Sequence, residues 1–231
     1  MSQKGAFVTD VQEIRRRARA SIDEGAVTEN YGLDVDTAVK ILNEGVATEL
    51  VCTLRYKYHA AMAVGVASEG VRDEFLAHAK EEEEHMDLLV ERICQLGGKP
   101  NLNPEGLLTR ASSEYVEGDT LIDMIKENLV AERIAIEIYR DQIRFFGDKD
   151  PTTRILLEGI LATEEEHAND MHDLLKRHSL EEGDKSNKPQ GASKAGESGK
   201  IDGLDAPGPA VSTGNPDPNS SRGGSSNKKK G

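Results

Sequence analysis

Apolar residues recur every three or four positions along several stretches of the chain, the spacing that puts them on one face of an α-helix. The first such face consists of Leu42, Val46, Glu49, Thr53, Tyr56, Ala60 and Ala63. Two later faces consist of Ile125, Leu129, Glu132, Ile136, Tyr139 and Ile143, and of Leu157, Ile160, Glu164, His167, Met171 and Leu174. A single glutamate interrupts each face near its middle. The pattern predicts amphipathic helices that each turn a carboxylate towards the core.

Capping residues and glycines set the ends of these helices. We predict four long helices, over residues of about 35–65, 69–96, 120–146 and 151–178. Asp34 or Asp36 can cap the first, and Asp150 can cap the fourth. The stretch 99–118 is rich in Pro, Asn and Gly and is long enough to cross from one end of a bundle to the other. We therefore predict an all-α four-helix bundle with one long crossover between the second and third helices.

Composition divides the chain into three parts. Residues 1–33 form an N-terminal extension with a short basic helix at about 9–22, residues 34–180 form the bundle, and residues 181–231 form a tail rich in Gly, Ser, Pro and Lys. No aromatic residue occurs from position 183 onward. Such a segment cannot bury enough apolar surface to offset the entropy of ordering, so we predict a disordered tail.

Charge is divided in the same way. Residues 183–231 contain eight basic and five acidic residues, so the tail carries +3 and the rest of the chain −16 of the formal net charge of −13. An acidic body repels nucleic acid and attracts cations, although it can equally serve solubility alone. The first residues lack the apolar core of a signal peptide, and no apolar run reaches membrane-spanning length. We predict a cytoplasmic protein without membrane contact.

One chemical pattern occurs twice. Glu49 is followed by 32 residues and then by Glu82 and His85, whereas Glu132 is followed by 31 residues and then by Glu164 and His167. Each copy has the length of a helix, a turn and part of the next helix, so each is predicted to be one helical hairpin. If the two hairpins pack face to face, four carboxylates and two imidazoles meet in the middle of the bundle, which is the ligand set of a two-metal carboxylate site.

Burying these carboxylates requires compensating positive charge. A lone buried carboxylate costs several kcal/mol unless it is paired, protonated or bound to metal, and two divalent cations would neutralise four of them. Oxygen-rich ligation with two nitrogens suits iron or manganese better than zinc or copper. We predict two iron ions per subunit, bound by Glu49, Glu82, His85, Glu132, Glu164 and His167, with O₂ or H₂O₂ as the oxidant.

The second helix contains four consecutive glutamates before His85, and such a run is usually a solvated face. Only the three-residue offset provides a glutamate in both copies, because Thr163 stands four residues before His167. This offset selects Glu82 and Glu164. Glu83 and Glu165 then point away from the site and are predicted to face solvent or an interface.

Two tyrosines repeat with the ligands. Tyr56 and Tyr139 follow the first glutamate of each copy by seven residues, which keeps both phenols on the inner face. They either donate hydrogen bonds to the ligand carboxylates or are ordinary core tyrosines.

The remaining ligand-type residues are left out of the predicted site. Cys52 lies on the inner face near Glu49 and could be a redox thiol, but it is too far from Cys94 for a disulfide. We predict both cysteines to be buried or half-buried. His59 and His78 are predicted to be structural core histidines.

The same residues carry a resemblance to a known family. It rests on the runs LNEGVATELVCTLRYKYHAAM, EEEEHMDLLVERICQLGGKPNL, ENLVAERIAIE and EEEHANDMHDLL. Over roughly residues 35–178 the chain resembles the bacterioferritin branch of the ferritin-like superfamily. The resemblance implies terminal ligands at Glu49 and Glu132, bridging ligands at Glu82 and Glu164, and imidazole ligands at His85 and His167. It also implies ferroxidase activity, with ferric mineral stored inside a hollow shell of subunits.

This chain departs from the bacterioferritin pattern at two points. Bacterioferritins bind haem through a methionine two positions before the second-helix histidine, and Glu83 stands there in this chain, which argues against haem. They also have a short fifth helix at the fourfold contacts of a 24-subunit shell, whereas this chain continues after His178 into its tail. We expect a twelve-subunit shell of the mini-ferritin kind. Mini-ferritins build the iron site across a dimer interface, however, and this chain supplies all six ligands itself.

Two other functions use the same features. A rubrerythrin-like peroxide reductase would share the metal ligands, although the chain has no C-x-x-C motif for a rubredoxin domain. Alternatively, a DNA-protecting shell could contact phosphates through the tail, which ends in Lys228, Lys229 and Lys230.

Overall fold

The computed structural model describes residues 9–20, 22–65 and 68–186, with side chains up to His178. All regular structure in this part of the chain is helical. Six α-helices follow one another, and a 3-10 turn at Ile22–Glu24 lies between the first two. They are α1 (Val11–Arg17), α2 (Val35–Met62), α3 (Glu69–Gln95), α4 (Leu107–Arg110), α5 (Leu121–Phe146) and α6 (Pro151–Ser186).

Four of these helices form the bundle. Helix α2 packs along α3 and α5 packs along α6, and the two pairs meet through α2 with α5 and α3 with α6. The segment between α3 and α5 is the single long crossover, and it carries α4. The predicted all-α four-helix bundle is confirmed.

Local capping explains where the bundle helices begin. The Asp34 carboxylate accepts a hydrogen bond from the Thr37 amide at 2.9 Å at the start of α2, and Asp150 accepts one from the Thr153 amide at 2.9 Å at the start of α6. Thr120 caps α5 in the same way. At the other end of α3, Gly97 adopts a φ of 74°, a left-handed conformation that favours glycine.

Some helix ends differ from the sequence-based expectation. Helix α2 ends at Met62 rather than near residue 65, and α1 is shorter than the predicted 9–22. Helix α4 in the crossover was not predicted. Helix α6 continues to Ser186, about two turns beyond His178, because one glycine inside a helix costs only about 1 kcal/mol and does not by itself end it. Residues 181–186 of the predicted tail 181–231 therefore belong to α6, and the remainder, 187–231, lies outside the described residues.

The apolar core consists of two clusters separated by a polar layer. The first includes Leu42, Val46, Leu89, Ile93, Leu157 and Ile160. The second includes Tyr56, Phe75, Ala79, Ile125, Met171 and Leu174. On every bundle helix the predicted ligand positions fall between the residues of the first cluster and those of the second. The six predicted ligands therefore occupy a layer in the middle of the bundle.

A buried ion pair links α3 to the start of α6. The Arg92 guanidinium donates to both carboxylate oxygens of Asp150 at 3.0 Å and to the Thr153 hydroxyl at 2.8 Å. The Tyr31 hydroxyl of the N-terminal extension also donates to Asp150, at 2.8 Å. Burial acts to raise the pKa of Asp150, but the hydrogen bonds donated by the Thr153 hydroxyl and amide, and then by Tyr31 and Arg92, outweigh it and lower that pKa. The extension, α3 and α6 are thus joined at one carboxylate.

Among the helices of the described region, none is both long and apolar enough to cross a membrane.

Candidate metal centre

The six predicted ligands converge on the polar layer at the middle of the bundle. Helix α2 supplies Glu49, α3 supplies Glu82 and His85, α5 supplies Glu132, and α6 supplies Glu164 and His167. None of the six is more than 6% exposed. The two copies of the sequence pattern therefore meet face to face in one buried cluster.

The cluster divides into two overlapping groups of possible ligands. The first group is Glu49, Glu82, His85 and Glu164, and the second is Glu82, Glu132, Glu164 and His167. Within each group the ligand atoms all lie within 4.8 Å of one another. Because Glu82 and Glu164 belong to both groups, the geometry fits two neighbouring ions that share two bridging carboxylates.

Both imidazoles direct Nδ1 at the shared carboxylates. His85 Nδ1 lies 3.4 Å from Glu82 Oε2 and 3.0 Å from Glu164 Oε1. His167 Nδ1 lies 3.5 Å from Glu82 Oε1 and 3.6 Å from Glu164 Oε2. The two halves of the site are therefore related by the duplication seen in the sequence, with one oxygen of each bridging carboxylate facing each histidine.

Seven atoms of this layer are buried without a hydrogen-bond partner among the described residues. They are Oε1 and Oε2 of Glu82, Oε1 and Oε2 of Glu164, Oε2 of Glu132, and Nδ1 of His85 and of His167. The short Nδ1 to oxygen separations do not have the alignment of a hydrogen bond. An unsatisfied buried polar atom costs about 1–3 kcal/mol, and more when it is charged. Divalent ions would satisfy all seven atoms at once, so the donor set fits two metal ions.

When no metal is bound, protons on the ligand side chains offset part of the negative charge of the layer. Burial alone would lower the pKa of His85, but the carboxylates of Glu164 and Glu82 outweigh it and raise that pKa to about 9. The same two carboxylates raise the pKa of His167 to about 12 against the effect of burial. Burial, followed by the charges of Glu82 and Glu164, raises the pKa of Glu132 well above its ordinary value. In the metal-free protein, protons on His85, His167 and Glu132 therefore offset negative charge that metal ions would otherwise offset.

Two tyrosines link the copies crosswise. The Tyr56 hydroxyl on α2 donates to Glu132 on α5, and the Tyr139 hydroxyl on α5 donates to Glu49 on α2. Burial holds the pKa of both phenols well above the ordinary value, so both keep the proton that they donate. Glu49 and Glu132 are thus each oriented by a tyrosine of the other helical hairpin.

Glu81 also contacts the site, and sequence reasoning did not single it out. Its carboxylate lies 2.6 Å from Nε2 of His167, on the side of the ring opposite Nδ1. A carboxylate in this position fixes the ring orientation of a metal-binding histidine. The duplication gave no signal for it, because Thr163 occupies the equivalent position in the second copy.

A buried arginine next to the layer was missed as well. The Arg55 side chain donates to Asn128 Oδ1 at 3.0 Å, to the Glu114 carbonyl at 2.9 Å and to Cys52 Sγ at 3.6 Å. Asn128 stands one turn before Glu132 on the same helix, a position that could have identified it as a core polar residue. His59 lies against the same Asn128 Oδ1 at 3.1 Å, in a structural role as expected.

His78, predicted to be a structural core histidine, lies in the core against residues of the candidate site. It is buried, its Nδ1 lies 3.2 Å from the Tyr56 hydroxyl, and its ring stacks on His167 with 3.9 Å between centroids. Burial lowers the pKa of His78 to about 4, and the charge of His167 adds to this effect. A core histidine on α3, about one turn from Glu82 and two turns from His85, thus contacts two members of the site.

The cysteines are both free, and Cys52 is buried as predicted. Burial raises the pKa of the Cys52 thiol, which therefore stays protonated. The prediction for Cys94 was wrong, because this residue is exposed. Its position near the end of α3 turns it away from the core.

The glutamates next to the bridging positions face outward, as predicted. Glu83 is about half exposed and pairs with Lys57 at 3.1 Å, while Glu165 pairs with Arg140 at 2.6 Å. A surface cleft of about 590 Å³ reaches His85 between α3 and α6, and its lining includes Glu84, Glu91 and Thr163. The buried layer is therefore reached from one side through a cleft with acidic residues.

Comparisons with known proteins agree with this geometry. The sequence profile of the ferritin-like domain matches residues 39–180. The DNA protection during starvation protein of Pyrococcus furiosus is 28% identical over 152 residues, which cover 64% of this chain and 82% of that protein. The bacterioferritin of Mycobacterium leprae is 28% identical over 130 residues, which cover 56% of this chain and 77% of that protein. Among solved structures, the bacterioferritin-related dodecameric thioferritin of Bacteroides fragilis is similar, with a TM-score of 0.63 and 31% sequence identity. The match covers 66% of this chain and 92% of the thioferritin.

Proposed function

This chain belongs to the ferritin-like family, whose members bind iron, and on that premise we propose that it is a ferroxidase of iron storage and detoxification. It oxidises Fe²⁺ with O₂ or H₂O₂ at the paired centre, and the ferric product is stored inside a hollow homo-oligomeric shell. One observation supports this function above the others. Four carboxylates and two imidazoles meet in a buried layer where seven polar atoms have no partner among the described residues.

The charges of the layer suit two Fe²⁺ ions as the substrate. Glu49, Glu82, Glu132 and Glu164 can offset four positive charges, and both histidines can bind through Nδ1 once they have lost the second proton. Each Fe²⁺ gives one electron to the oxidant, and hard carboxylate oxygens favour the ferric product over the ferrous substrate. The tyrosine hydroxyls on Glu49 and Glu132 keep these two carboxylates in place, whereas the bridging pair has no such partner among the described residues.

The cleft beside His85 is the route by which we expect Fe²⁺ to reach the layer. Glu84 and Glu91 provide negative charge at its lining, and His85 lies at its inner side. Carboxylates along such a path raise the local concentration of cations.

The shell of the proposal is a homo-oligomer of twelve subunits. The number of subunits rests on similarity to the dodecameric thioferritin of Bacteroides fragilis, of which the chain covers 92%. All six ligands come from one chain, so the site does not depend on a subunit interface for its donors.

Binding to DNA is not part of the proposal, although the Pyrococcus furiosus relative is named for DNA protection. The lysines considered for it, Lys228, Lys229 and Lys230, are in the tail, and 187–231 lies outside the described residues. The part of the chain before residue 183 carries a net charge of −16, which repels phosphate.

Replacing a bridging carboxylate tests the function directly. In Glu82→Gln the volume is kept, but the negative charge and one of the two carboxylate oxygens are lost, so we expect the initial rate of Fe²⁺ oxidation to fall by about 100-fold or more. The rate is measured by stopped-flow absorbance of the ferric product. Glu83→Gln is the matched control, because Glu83 is next to Glu82 in sequence and its side chain is exposed. This variant should keep the parental rate. A folded Glu82→Gln protein that oxidised Fe²⁺ at the parental rate would contradict the proposal.

A further inference from the structure

A permanent positive charge lies beside one half of the paired centre. The Arg55 guanidinium is buried, at 1% exposure, and donates to Asn128 Oδ1, to the Glu114 carbonyl and to Cys52 Sγ. All three acceptors are uncharged, and no carboxylate of the described residues hydrogen-bonds to the guanidinium. Arginine keeps its proton throughout the pH range in which proteins fold. The ligand layer is therefore next to a buried cation that has no ion-pair partner of its own in the described part of the chain.

Arg55 is on the side of the centre that contains Glu132. Its Nε bonds to Asn128, which stands one turn before Glu132 on α5, and the hydroxyl of the next residue, Tyr56, bonds to Glu132 itself. Glu49 instead stands six residues before Arg55 on α2, about 9 Å away along the helix axis. Burial acts to lower the pKa of Arg55, but the charges of neighbouring acidic groups, including Glu132, outweigh it and raise that pKa.

The duplicated sequence provides no counterpart to this charge on the other half. Glu132 stands 83 residues after Glu49. Under the same shift the three side chains of the cluster have apolar or absent equivalents, namely Ile138 for Arg55, Ala135 for Cys52 and Gly45 for Asn128. The two halves of the centre therefore have the same kinds of ligand but different fixed charge beside them.

One carboxylate on the same half acts in the opposite sense. Glu81 lies 2.6 Å from Nε2 of His167, and its negative charge favours a higher charge on the ion that this histidine binds. The Glu81 side chain is 46% exposed, whereas Arg55 is buried. A buried charge acts more strongly on a buried ion than a solvated charge does, because less water screens it. The guanidinium therefore decides the direction of the difference.

We propose that Arg55 sorts charge between the two metal positions. The position of Glu132 and His167 keeps a divalent ion, and the position of Glu49 and His85 takes a trivalent ion, because a nearby positive charge disfavours the higher cation charge. On the basis of the proposed function, the Fe²⁺ at Glu49 and His85 loses its electron first. Each Fe²⁺ gives one electron, and one H₂O₂ takes both with two protons to form two water molecules. Arg55 thus changes the order of the two oxidations and not their sum.

Redox-inert ions test the sorting without any iron chemistry. Crystals of the metal-free full chain are soaked with equal amounts of Zn²⁺ and Ga³⁺, which stand in for Fe²⁺ and Fe³⁺. Anomalous diffraction at the zinc and gallium edges gives the occupancy of each ion at each position. We expect the ratio of Ga³⁺ to Zn²⁺ to be about tenfold higher at Glu49 and His85 than at Glu132 and His167. An equal or opposite distribution would overturn the role of Arg55.

Removing the charge should remove the preference. Arg55→Met keeps an apolar side chain of similar length, and buried charges are often replaced in this way without loss of stability. We expect the tenfold preference to be lost in this variant. Arg140→Met is the matched control, because Arg140 is half exposed and pairs with Glu165, and it should keep the parental distribution. A preference that persisted in Arg55→Met would mean that another group sorts the ions.

Glu81→Gln provides a second variant at a half-exposed position, where the substitution keeps volume and leaves the core intact. It removes the opposing charge, so we expect the parental preference to increase by about twofold or more. A smaller or reversed preference would contradict the balance of charges described above, whether or not Arg55→Met folds. A parent that bound neither ion at the paired centre would overturn the proposed function as well, whereas an equal distribution of two bound ions would overturn only the sorting.

Discussion

At the level of single residues, the carboxylates of the paired centre differ in how they are held. Glu49 and Glu132 each accept a tyrosine hydroxyl from the opposite hairpin pair, while both oxygens of Glu82 and of Glu164 lack a hydrogen bond within the described part of the chain. The tyrosines therefore restrain the orientation of the first two carboxylates and not that of the second two. Under the proposed function, this difference suits terminal ligands at Glu49 and Glu132 and bridging ligands at Glu82 and Glu164.

Removing one phenol hydroxyl should therefore weaken the site without dismantling it. For Tyr56→Phe and for Tyr139→Phe we expect a 10–100-fold loss in metal affinity or in the rate of Fe²⁺ oxidation, the usual effect of removing a group that orients a ligand. Co²⁺ titration and stopped-flow absorbance measure the two quantities. Tyr58→Phe is the control, because this hydroxyl bonds to the exposed Glu117 instead. Equal behaviour of all three variants would show that the hydroxyls do not orient the ligands.

At the level of helices, the ion pair of Arg92 and Asp150 fixes α6 to α3 at the end of the bundle away from the second apolar cluster. Asp150 has two functions, since it caps α6 through the Thr153 amide and neutralises a buried guanidinium. The Tyr31 hydroxyl of the N-terminal extension donates a hydrogen bond to the same carboxylate. Three chain segments thus depend on one side chain.

Asp150→Ala should be among the more destabilising substitutions outside the metal layer. Removing one partner of a buried ion pair costs about 3–5 kcal/mol, and loss of a helix cap costs about 1 kcal/mol. We expect a loss of that size in the free energy of unfolding of the metal-free protein, measured by denaturant titration with circular dichroism. Asp148→Ala is the control two positions earlier, where the side chain is fully exposed, and little change is expected. Equal effects would mean that the Arg92 pair does not contribute to stability.

At the level of the whole molecule, the metal-free bundle depends on protons that metal would displace. The folded-state pKa of His85 is raised from 6.5 to about 9. Its contribution to stability is therefore fully present below pH 6.5 and is lost as the pH rises through about 9. The raised pKa of Glu132 acts in the same direction. Burial acts to raise the pKa of Glu82, but the two imidazoles lower it to about 2, so its contribution is present above pH 4.5.

The metal-free protein should consequently lose thermal stability between pH 6.5 and 9. Stoichiometric Zn²⁺ should reduce or abolish this loss, because metal binding needs the deprotonated ligands and strengthens as the pH rises. The melting temperature, followed by circular dichroism with chelator or with Zn²⁺, checks both statements. His85→Gln lacks the group that titrates, and its metal-free form should show a smaller loss over the same range. A metal-free parent as stable at pH 9 as at pH 6.5 would exclude this account.

The sequence alone determined the four helices, their hairpin order and the six side chains that meet in the buried layer. These follow from local rules, because a helical period decides which residues share a face, and the duplicated pattern selects Glu82 from four consecutive glutamates. Tertiary packing alone decided the partners across helices, such as Glu81 on His167, Arg55 on Asn128, and Arg92 on Asp150. Each of these contacts joins residues more than 50 positions apart. Their pairing depends on how the hairpins meet in space, and no spacing along the chain records it.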